Sequence, residues 1–493
     1  MKKFISKFGL TILSILCLLI VSSAIALFGS DSYKAGKASI APQLEQNNNE
    51  FTLKIQQLQL DVAEKQAENT ELKYQVSAYT TQVNTLTEEK IALQSQVEDL
   101  TFQRDNAFEL SQEEINNLNT QIDTLNATIG QKDLAITEAN NAITACNQTI
   151  EENTVTINAL NSRVTRLENI VYRTATEIHA EDLEGMTMIG DYAFYKYTAL
   201  TFVELPDSIT SIGSNAFCEC SNLTNVILPD SITDMDIQVF YECSKLKSVN
   251  IPRGLKSLPN SLFSHVGLTH ITIPNTLTSM GNEIFSYCKS LERVEFEENS
   301  QLTTIGKGVF SNSGIKIIEI PNAVEAMGNF VFSSCSSLIS VTFPASITQL
   351  GNNLFNGCSK LETVTFEKGA RVLSWDTTSV FTSCGSLTNL TFRNIIFNLS
   401  ISVSSNITLE SLLNTIQELH INTLTSTRTL TLGSTNLAKL DGVYVKLIDI
   451  TDEMRAEDEY IDNKSPFVVC ESTDEDAMLI TDYVTNVKNW ILK

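Results

Sequence analysis

Ten cysteines, four histidines and the acidic run Asp474-Glu475-Asp476 are the residues best suited to chemistry in this 493-residue sequence. Six of the cysteines (Cys220, Cys243, Cys288, Cys335, Cys358 and Cys384) occupy one place in a repeat of about 23 residues. A tetrahedral zinc site needs four ligands converging on a point. Thiols supplied once per repeat stack one above another instead, so the column reads as a buried ladder filling a core. Cys218 and Cys220 form only a Cys-x-Cys pair, a weak metal signal. His179, His265, His270 and His420 are scattered, and no His-Glu-x-x-His, Gly-x-Ser-x-Gly or phosphate-binding loop accompanies them. The acidic run lacks the alternating ligands and glycine of a calcium loop and reads as solvated. The sequence thus offers no catalytic residue, no cofactor and no metal site, and an enzyme is not expected.

The elements behind the cysteine column emerge on alignment by one phenylalanine. Phe194, Phe217, Phe240, Phe263, Phe285, Phe310, Phe332, Phe355 and Phe381 lie 22 to 26 residues apart. Four residues before the Phe stands Gly190, Gly213, Gly281, Gly306, Gly328 or Gly351, and three after it stands the Cys. A Leu or Ile follows, then a short β-type run such as Val203-Glu204-Leu205 or Val226-Ile227-Leu228, closed in six repeats by a proline (Pro206 and Pro229 are the first two). Self-similarity at this period means a solenoid, whose units cannot bury their apolar sides alone but share one core when stacked. The β-runs are expected to align as a parallel sheet. Proline ends each run because it has no N–H for the ladder, and the glycine is expected to permit a turn of unusual φ.

The stretch Leu200 to Cys220, with Leu205-Pro206-Asp207-Ser208-Ile209-Thr210-Ser211-Ile212-Gly213 and Ala216-Phe217-Cys218-Glu219-Cys220, resembles the treponemal, or BspA-like, leucine-rich repeat nearly position for position. The resemblance covers nine repeats over residues 183–394. Asp236 and Pro259 depart from it at the glycine, Tyr197, Val266 and Ser313 at the cysteine, and Ser379-Val380-Phe381 follows a small insertion. Ser411-Leu412-Leu413-Asn414-Thr415-Ile416, with helical spacing, and the strand-and-turn segment from Thr429 to Leu440 look like the family's closing segment. That gives a cap over 395–440, an acidic insertion over 441–482, expected as a surface excursion, and the end of the cap over 483–493.

Residues 43–172 carry heptads. From Ile55 the a positions run Ile55, Val62, Asn69, Val76, Val83, Lys90, Val97 and Arg104, and the d positions begin Leu58, Lys65 and Leu72. From Ile115 a second series runs Ile115, Ile122, Ile129 and onward to Val171, with Cys146 and Asn153 at d. The break at 104–115 has the spacing of a stutter, which unwinds a supercoil without ending the helix. β-branched residues at a with Leu at d favour a parallel homodimer, and in such a dimer Cys146 faces its copy. Two readings of Cys146 stand side by side: an interchain disulfide, and a buried free thiol.

Residues 1–42 form a signal peptide or signal-anchor and linker. Lys2, Lys3 and Lys7 precede an uncharged run over 10–28. Cleavage at Ala24-Ile25-Ala26 is one reading. The run's length, about 28 Å as a helix, favours an uncleaved membrane anchor. The net charge of −24 is concentrated in residues 43–180 and 441–484, and no basic stripe suited to nucleic acid is visible. The expected fold is α+β: a long N-terminal α-helical coiled coil, then a leucine-rich-repeat solenoid with a parallel β-sheet and an α/β C-terminal cap.

Strand alternation proposes a binding face. With Val203 and Leu205 inward, Phe202 and Glu204 point outward. The equivalent outward residues include Asn225, Ile227, His270, Arg293, Glu295, Ile317 and Glu319. The exposed apolar members Phe202, Ile227 and Ile317 are the first to test. The leading expectation is an exported, membrane-anchored surface protein whose head binds a protein or glycan. Adhesion is what the family resemblance implies. The alternatives are a structural spacer or phage- or envelope-associated assembly protein without a foreign ligand, and an intracellular scaffold.

Overall fold

The structure is a computed structural model that describes residues 34–106, 110–367, 380–393, 395, 399–401, 406–421, 423, 428–457 and 461–493. The expected membrane segment over 10–28 lies outside the described residues. Among the described residues no helix is long and apolar enough to cross a membrane. Two compact units are present, Asn48–Tyr172 and one containing Arg173–Lys493.

The heptad region is two helices, Lys34–Asn106 and Gln112–Val171. Between them the stutter expectation gives way to a chain reversal. Ser111 caps the second helix, its hydroxyl accepting from Glu114 N–H while the Glu114 carboxylate accepts from Ser111 N–H, a capping box that starts a new helix. The two helices run antiparallel. Arg104 donates to Asn119 at 3.1 Å, Lys132 pairs with Glu89 and Lys90 with Asp133, both at 2.6 Å, and Asn69 reaches Thr154 at 3.5 Å. The seam expected to face a second, parallel chain therefore faces the chain's own second helix. Ile55, Leu58 and Val62 are buried from one side of it, and Ile122, Ala139 and Val164 from the other. The Cys146 thiol donates to Gln75 Oε1 across this seam at 3.8 Å. The parallel-dimer register is corrected by this geometry.

In the second unit the coils from Glu177 to Leu350 each contribute two short parallel strands. One column begins at Glu177–Ile178 and continues through Phe202–Glu204, Asn225–Ile227 and Ser248–Val249. His270–Ile273 and Arg293–Phe296 pair with each other, and Ile317–Glu319, Ser340–Phe343, Thr363–Phe366 and Asn389–Thr391 form a third group. A second column, which the sequence reading did not name, includes Ser211–Ile212, Ser279–Met280 and Gln349–Leu350. The solenoid has about nine turns. Val203, Val226, Val294 and Val341 point into its core.

The repeated phenylalanines form a continuous stack through that core. Successive rings from Phe194 to Phe381 lie 5.0 to 5.9 Å apart and nearly parallel. On either side of the Phe, two residues away, the backbone enters the left-handed region, as at Asn215 and Glu219 or Glu283 and Tyr287. For residues with a Cβ this costs about 1 kcal/mol each. Inter-coil hydrogen bonds offset the strain: Asn215, Phe217 and Glu219 donate to the carbonyls of Ile237, Val239 and Tyr241 at 2.8 to 3.1 Å.

The glycine column has a different cause from the one expected. None of Gly213, Gly281, Gly306, Gly328 and Gly351 has positive φ; Gly308 and Gly357 do, at the left-handed positions beside the Phe. The column glycines are needed for close approach. A Cβ on Gly306 would sit 2.4 Å from Gly281 O, and one on Gly351 2.2 Å from Gly328 C. Hydrogen on Cα is all that fits where one coil's turn lies on the next.

The cap begins at Thr408, whose side chain caps the Leu409–Gln417 helix. The Ser411 hydroxyl accepts from Leu390 N–H at 3.2 Å, tying the helix to the last solenoid strand. Arg428–Thr431 pairs in parallel with Leu399–Ser400 and with Trp490–Leu492. Residues 441–482 are not a mere surface excursion. Tyr444–Leu447 lies between Phe467–Cys470 and Met478–Leu479 in an antiparallel sheet, with Val445 fully buried. Lys464 is 2 % exposed and 2.5 Å from Glu418, which also holds Arg393 at 2.9 Å. The segment's described carboxylates, among them Asp449, Asp474, Glu475 and Asp476, are exposed, while these few inward residues anchor it.

Candidate binding face

Each ladder thiol is buried and hydrogen-bonded. Cys220, Cys243, Cys288, Cys335, Cys358 and Cys384 donate to the carbonyl oxygens of Phe194, Phe217, Phe263, Phe310, Phe332 and Phe355, one coil earlier, at 2.9 to 3.1 Å. Burial pushes the Cys288 thiol up to about 12 and Cys335 up to about 11. A thiol so disposed is a poor nucleophile and a poor metal ligand. Among the described residues no three His, Cys, Asp or Glu side chains are grouped as a metal ion would require.

The outward strand residues are the remaining candidates. Strand pairing sets Phe202 beside Asn225, Glu204 beside Ile227, and His270 beside Arg293. Phe202 is half-buried, its ring 5.3 Å from that of His179, and Glu204 lies 3.8 Å from His179 Nδ1. His179 and Glu177 belong to a coil that the sequence reading did not count. Asn225 is half-buried, and Ile227 is 43 % exposed. His270 is exposed, with Nδ1 3.1 Å from Thr269 Oγ1. Arg293 pairs with Glu295 at 2.6 Å, both exposed. Ile317 is 57 % exposed, and Glu319 is exposed beside it.

These residues are not one continuous row, because the strand pairing lapses twice. Between Ser248–Val249 and His270–Ile273 no ladder forms, and just before the two strands Lys247 Nζ donates to Gly267 O at 2.9 Å. Between Arg293–Phe296 and Ile317–Glu319 the last link is Lys316 N–H to Glu292 O at 3.4 Å. Beyond it lies an open groove of about 980 Å³, lined by the four predicted residues Arg293, Glu295, Ile317 and Glu319. Phe202, Glu204, Asn225, Ile227 and His270 stand outside it, on the preceding coils.

Sequence reasoning missed Glu292, Glu297, Glu298 and Lys316, which complete the groove. Proline closes the earlier strands, but Glu297 stands in that column. With an N–H to give, Glu297 donates to Ile273 O at 3.0 Å, and a longer turn follows before Leu302. Arg253 grips the Glu297 carboxylate through both terminal nitrogens, and Asn275 N–H donates to it at 3.1 Å. Arg253 and those hydrogen bonds hold this carboxyl below its usual range.

Stacked coils of parallel strands around a leucine and phenylalanine core define a leucine-rich-repeat solenoid, a scaffold type that is typically non-enzymatic and binds proteins. Residues 165–292 and 280–410 match the BspA type leucine rich repeat region, in six copies. The solenoid belongs to the BspA type leucine-rich-repeat family. The chain is similar to a leucine-rich repeat protein from Bacteroides ovatus at 24 % identity, covering 48 % of this chain and 72 % of that one with a TM-score of 0.37. It is also similar to a T. pallidum leucine rich repeat protein (24 % identity, 43 % and 78 % covered, TM-score 0.24). A leucine rich cell surface protein from Faecalibacterium prausnitzii matches at 22 % identity, with 44 % and 87 % covered and a TM-score of 0.19. No curated protein matches the chain.

Proposed function

We propose that this is an exported surface protein whose solenoid binds a protein partner through its outward strand face, in the service of adhesion. The observation that carries the reading is the exposure of Ile227 and Ile317 on parallel strands that the core holds rigidly. Large apolar side chains on a fixed sheet, framed by charged neighbours, form the kind of surface that recognises another protein. Export is supported by the lysines and the apolar run over 10–28, which serve as signal or membrane anchor, and by the cell-surface description of the Faecalibacterium relative.

The test passes the full chain over immobilised extracellular-matrix proteins and a glycan array. Binding to at least one matrix protein, weakened about tenfold or more by Phe202→Ala, Ile227→Ala or Ile317→Ala, is the expected result. Self-association of the chain with no foreign ligand bound would instead favour a structural spacer.

A further inference from the structure

We infer that the free edge of Phe467–Cys470, in the antiparallel sheet of the cap, takes an extended, basic segment of a partner protein as a further strand. The edge is separate from the outward strand face of the solenoid, and the inference does not rest on the reading of that face.

The hydrogen-bond phase of the sheet shows what the edge offers. Tyr444–Leu447 is the central strand, with Met478–Leu479 on one side and Phe467–Cys470 on the other. Ile448 N–H donates to Pro466 O at 3.1 Å, and Ile480 N–H to Val443 O at 3.0 Å. Opposed residues of an antiparallel pair exchange hydrogen bonds at every second position. Val468 and Cys470 therefore turn their main-chain groups to the central strand, and Phe467 and Val469 turn theirs away from the sheet. The Glu471 N–H, next in that phase, is taken by the Asp474 carboxylate at 3.0 Å. Phe467 is buried against the Tyr483 ring, which leaves Val469 as the open part of the edge. Its N–H and C=O have no partner among the described residues. An edge of this kind is a template that an extended peptide completes with main-chain hydrogen bonds.

The side chains leave the same place uncovered. Val469 lies opposite Val445, and Leu447 opposite Phe467, so the four share one face of the sheet. Val445 and Phe467 are buried there, yet Val469 is 57 % exposed and Leu447 47 %. The sheet overhangs its core at these two residues. Sheet edges are commonly guarded by charge, but Phe467-Val468-Val469-Cys470 carries none.

The charges around the edge select the occupant. Asp449, Glu471, Asp474, Glu475 and Asp476 are exposed and have no cation partner among the described residues. The segment's bases do not offset them. Arg455 pairs with Asp452 and Asp462, each at 3.1 Å, and Lys464 is buried against Glu418. Lys446 lies on the opposite face of the sheet from Val469. Two copies of the chain joined at this edge would bring two acidic segments together, whereas a basic strand is attracted. The complement is a run of β-branched residues on Val469 and Leu447, with lysine or arginine at the end beside Glu471 and Asp474.

The probe is the synthetic peptide Lys-Lys-Val-Thr-Val-Thr-Val-Lys-Lys, labelled for fluorescence anisotropy against the full chain. One control peptide carries Glu for every Lys. The other carries Pro for both Thr and the central Val, which removes ladder donors on both sides. The expected result is binding of the lysine peptide alone, weakened about tenfold or more by Val469→Lys and by raised salt. The Glu471→Gln/Glu475→Gln pair is expected to weaken it as well, and Phe202→Ala and Ile317→Ala to leave it unchanged. Exchange of the Val469 amide is expected to slow on binding. Equal binding of either control peptide, indifference to Val469→Lys, or no binding at all would overturn the inference. Self-association abolished by Val469→Lys, with no peptide bound, would overturn it in favour of a second copy. Matrix-protein binding that depends on Ile227 and Ile317 reads the solenoid face separately, so either reading can fail without the other.

Discussion

The Cys288 thiol donates to the carbonyl oxygen of Phe263, 3.0 Å away and one coil earlier in the stack. That carbonyl belongs to the same phenylalanine whose ring stacks on Phe285, three residues before the cysteine. The two most regular columns of the repeat thus serve one junction. The ring fills the core, and the thiol satisfies a buried oxygen behind it.

Reactivity follows from that placement. In the folded protein a maleimide at pH 8 is expected to label Cys146 and Cys470, which are partly exposed, and to spare the six ladder thiols until denaturant is added. The folded pKa of Cys288 is raised to about 12, so its contribution to stability is intact below the unfolded thiol value. It is lost as pH rises from about 9 through about 12, where the unfolded chain gives up the proton first. Mass spectrometry of labelled peptides and urea melts across that range check both statements.

The glycine column predicts a sharp contrast between two substitutions to alanine. Gly328→Ala places a Cβ 2.6 Å from Lys307 N, backbone that cannot step aside. Gly385→Ala meets nothing within 4 Å. The first is expected to destabilise the chain by about 2 kcal/mol or more through overpacking, the second by less than about 0.5 kcal/mol. Urea denaturation of the two variants measures the difference.

In the helical hairpin, Asn69 and Asn153 are both buried, and Asn69 Oδ1 and Asn153 Nδ2 lack partners. Replacing either Asn by Leu removes an unpartnered buried polar atom and is expected to be neutral or stabilising by up to about 1 kcal/mol, the double replacement more so than either single one. Circular dichroism melts of the single and double variants test this. Wild-type protein on a non-reducing gel is expected to show no dimer that depends on Cys146.

The cap carries an acid-sensitive group. Burial, with Lys464 and Lys488 nearby, lowers His420 to about 4, while Glu418 acts in the opposite sense. The neutral imidazole is the folded form, so its stabilising contribution is complete above about 6.5 and is lost as pH falls through about 4. Amide exchange in 409–420 and 483–492 is expected to quicken over that interval, and His420→Gln to flatten the response.

The solenoid was legible in the sequence because each repeat position has one job: Phe217 stacks, Cys220 donates, Leu223 fills the core. Repetition makes such jobs visible without knowledge of any contact. The hairpin was not, because an a and d seam looks alike whether it meets a second chain or returns on itself. The spacing across 104–115 also imitates a stutter. The signal that distinguishes them is Ser111 with Glu114, a helix start in the middle of the heptads. The groove was half legible: alternation placed Arg293, Glu295, Ile317 and Glu319 outward, but nothing in the repeat marks where the pairing lapses, since Glu367 stands in the proline column as Glu297 does and its strand still pairs. Burial of Lys464 within an acidic segment left no trace in composition, since one inward side chain is lost among many solvated ones.

The most direct test of the central claim is a hydrogen-exchange footprint of the full chain with a bound matrix protein. Slowed exchange confined to the outward strand column, over 202–205, 225–228 and 317–320, is the predicted result. Slowing on the other column, around Ser279–Met280 and Gln349–Leu350, with no change on the outward strands, would contradict it.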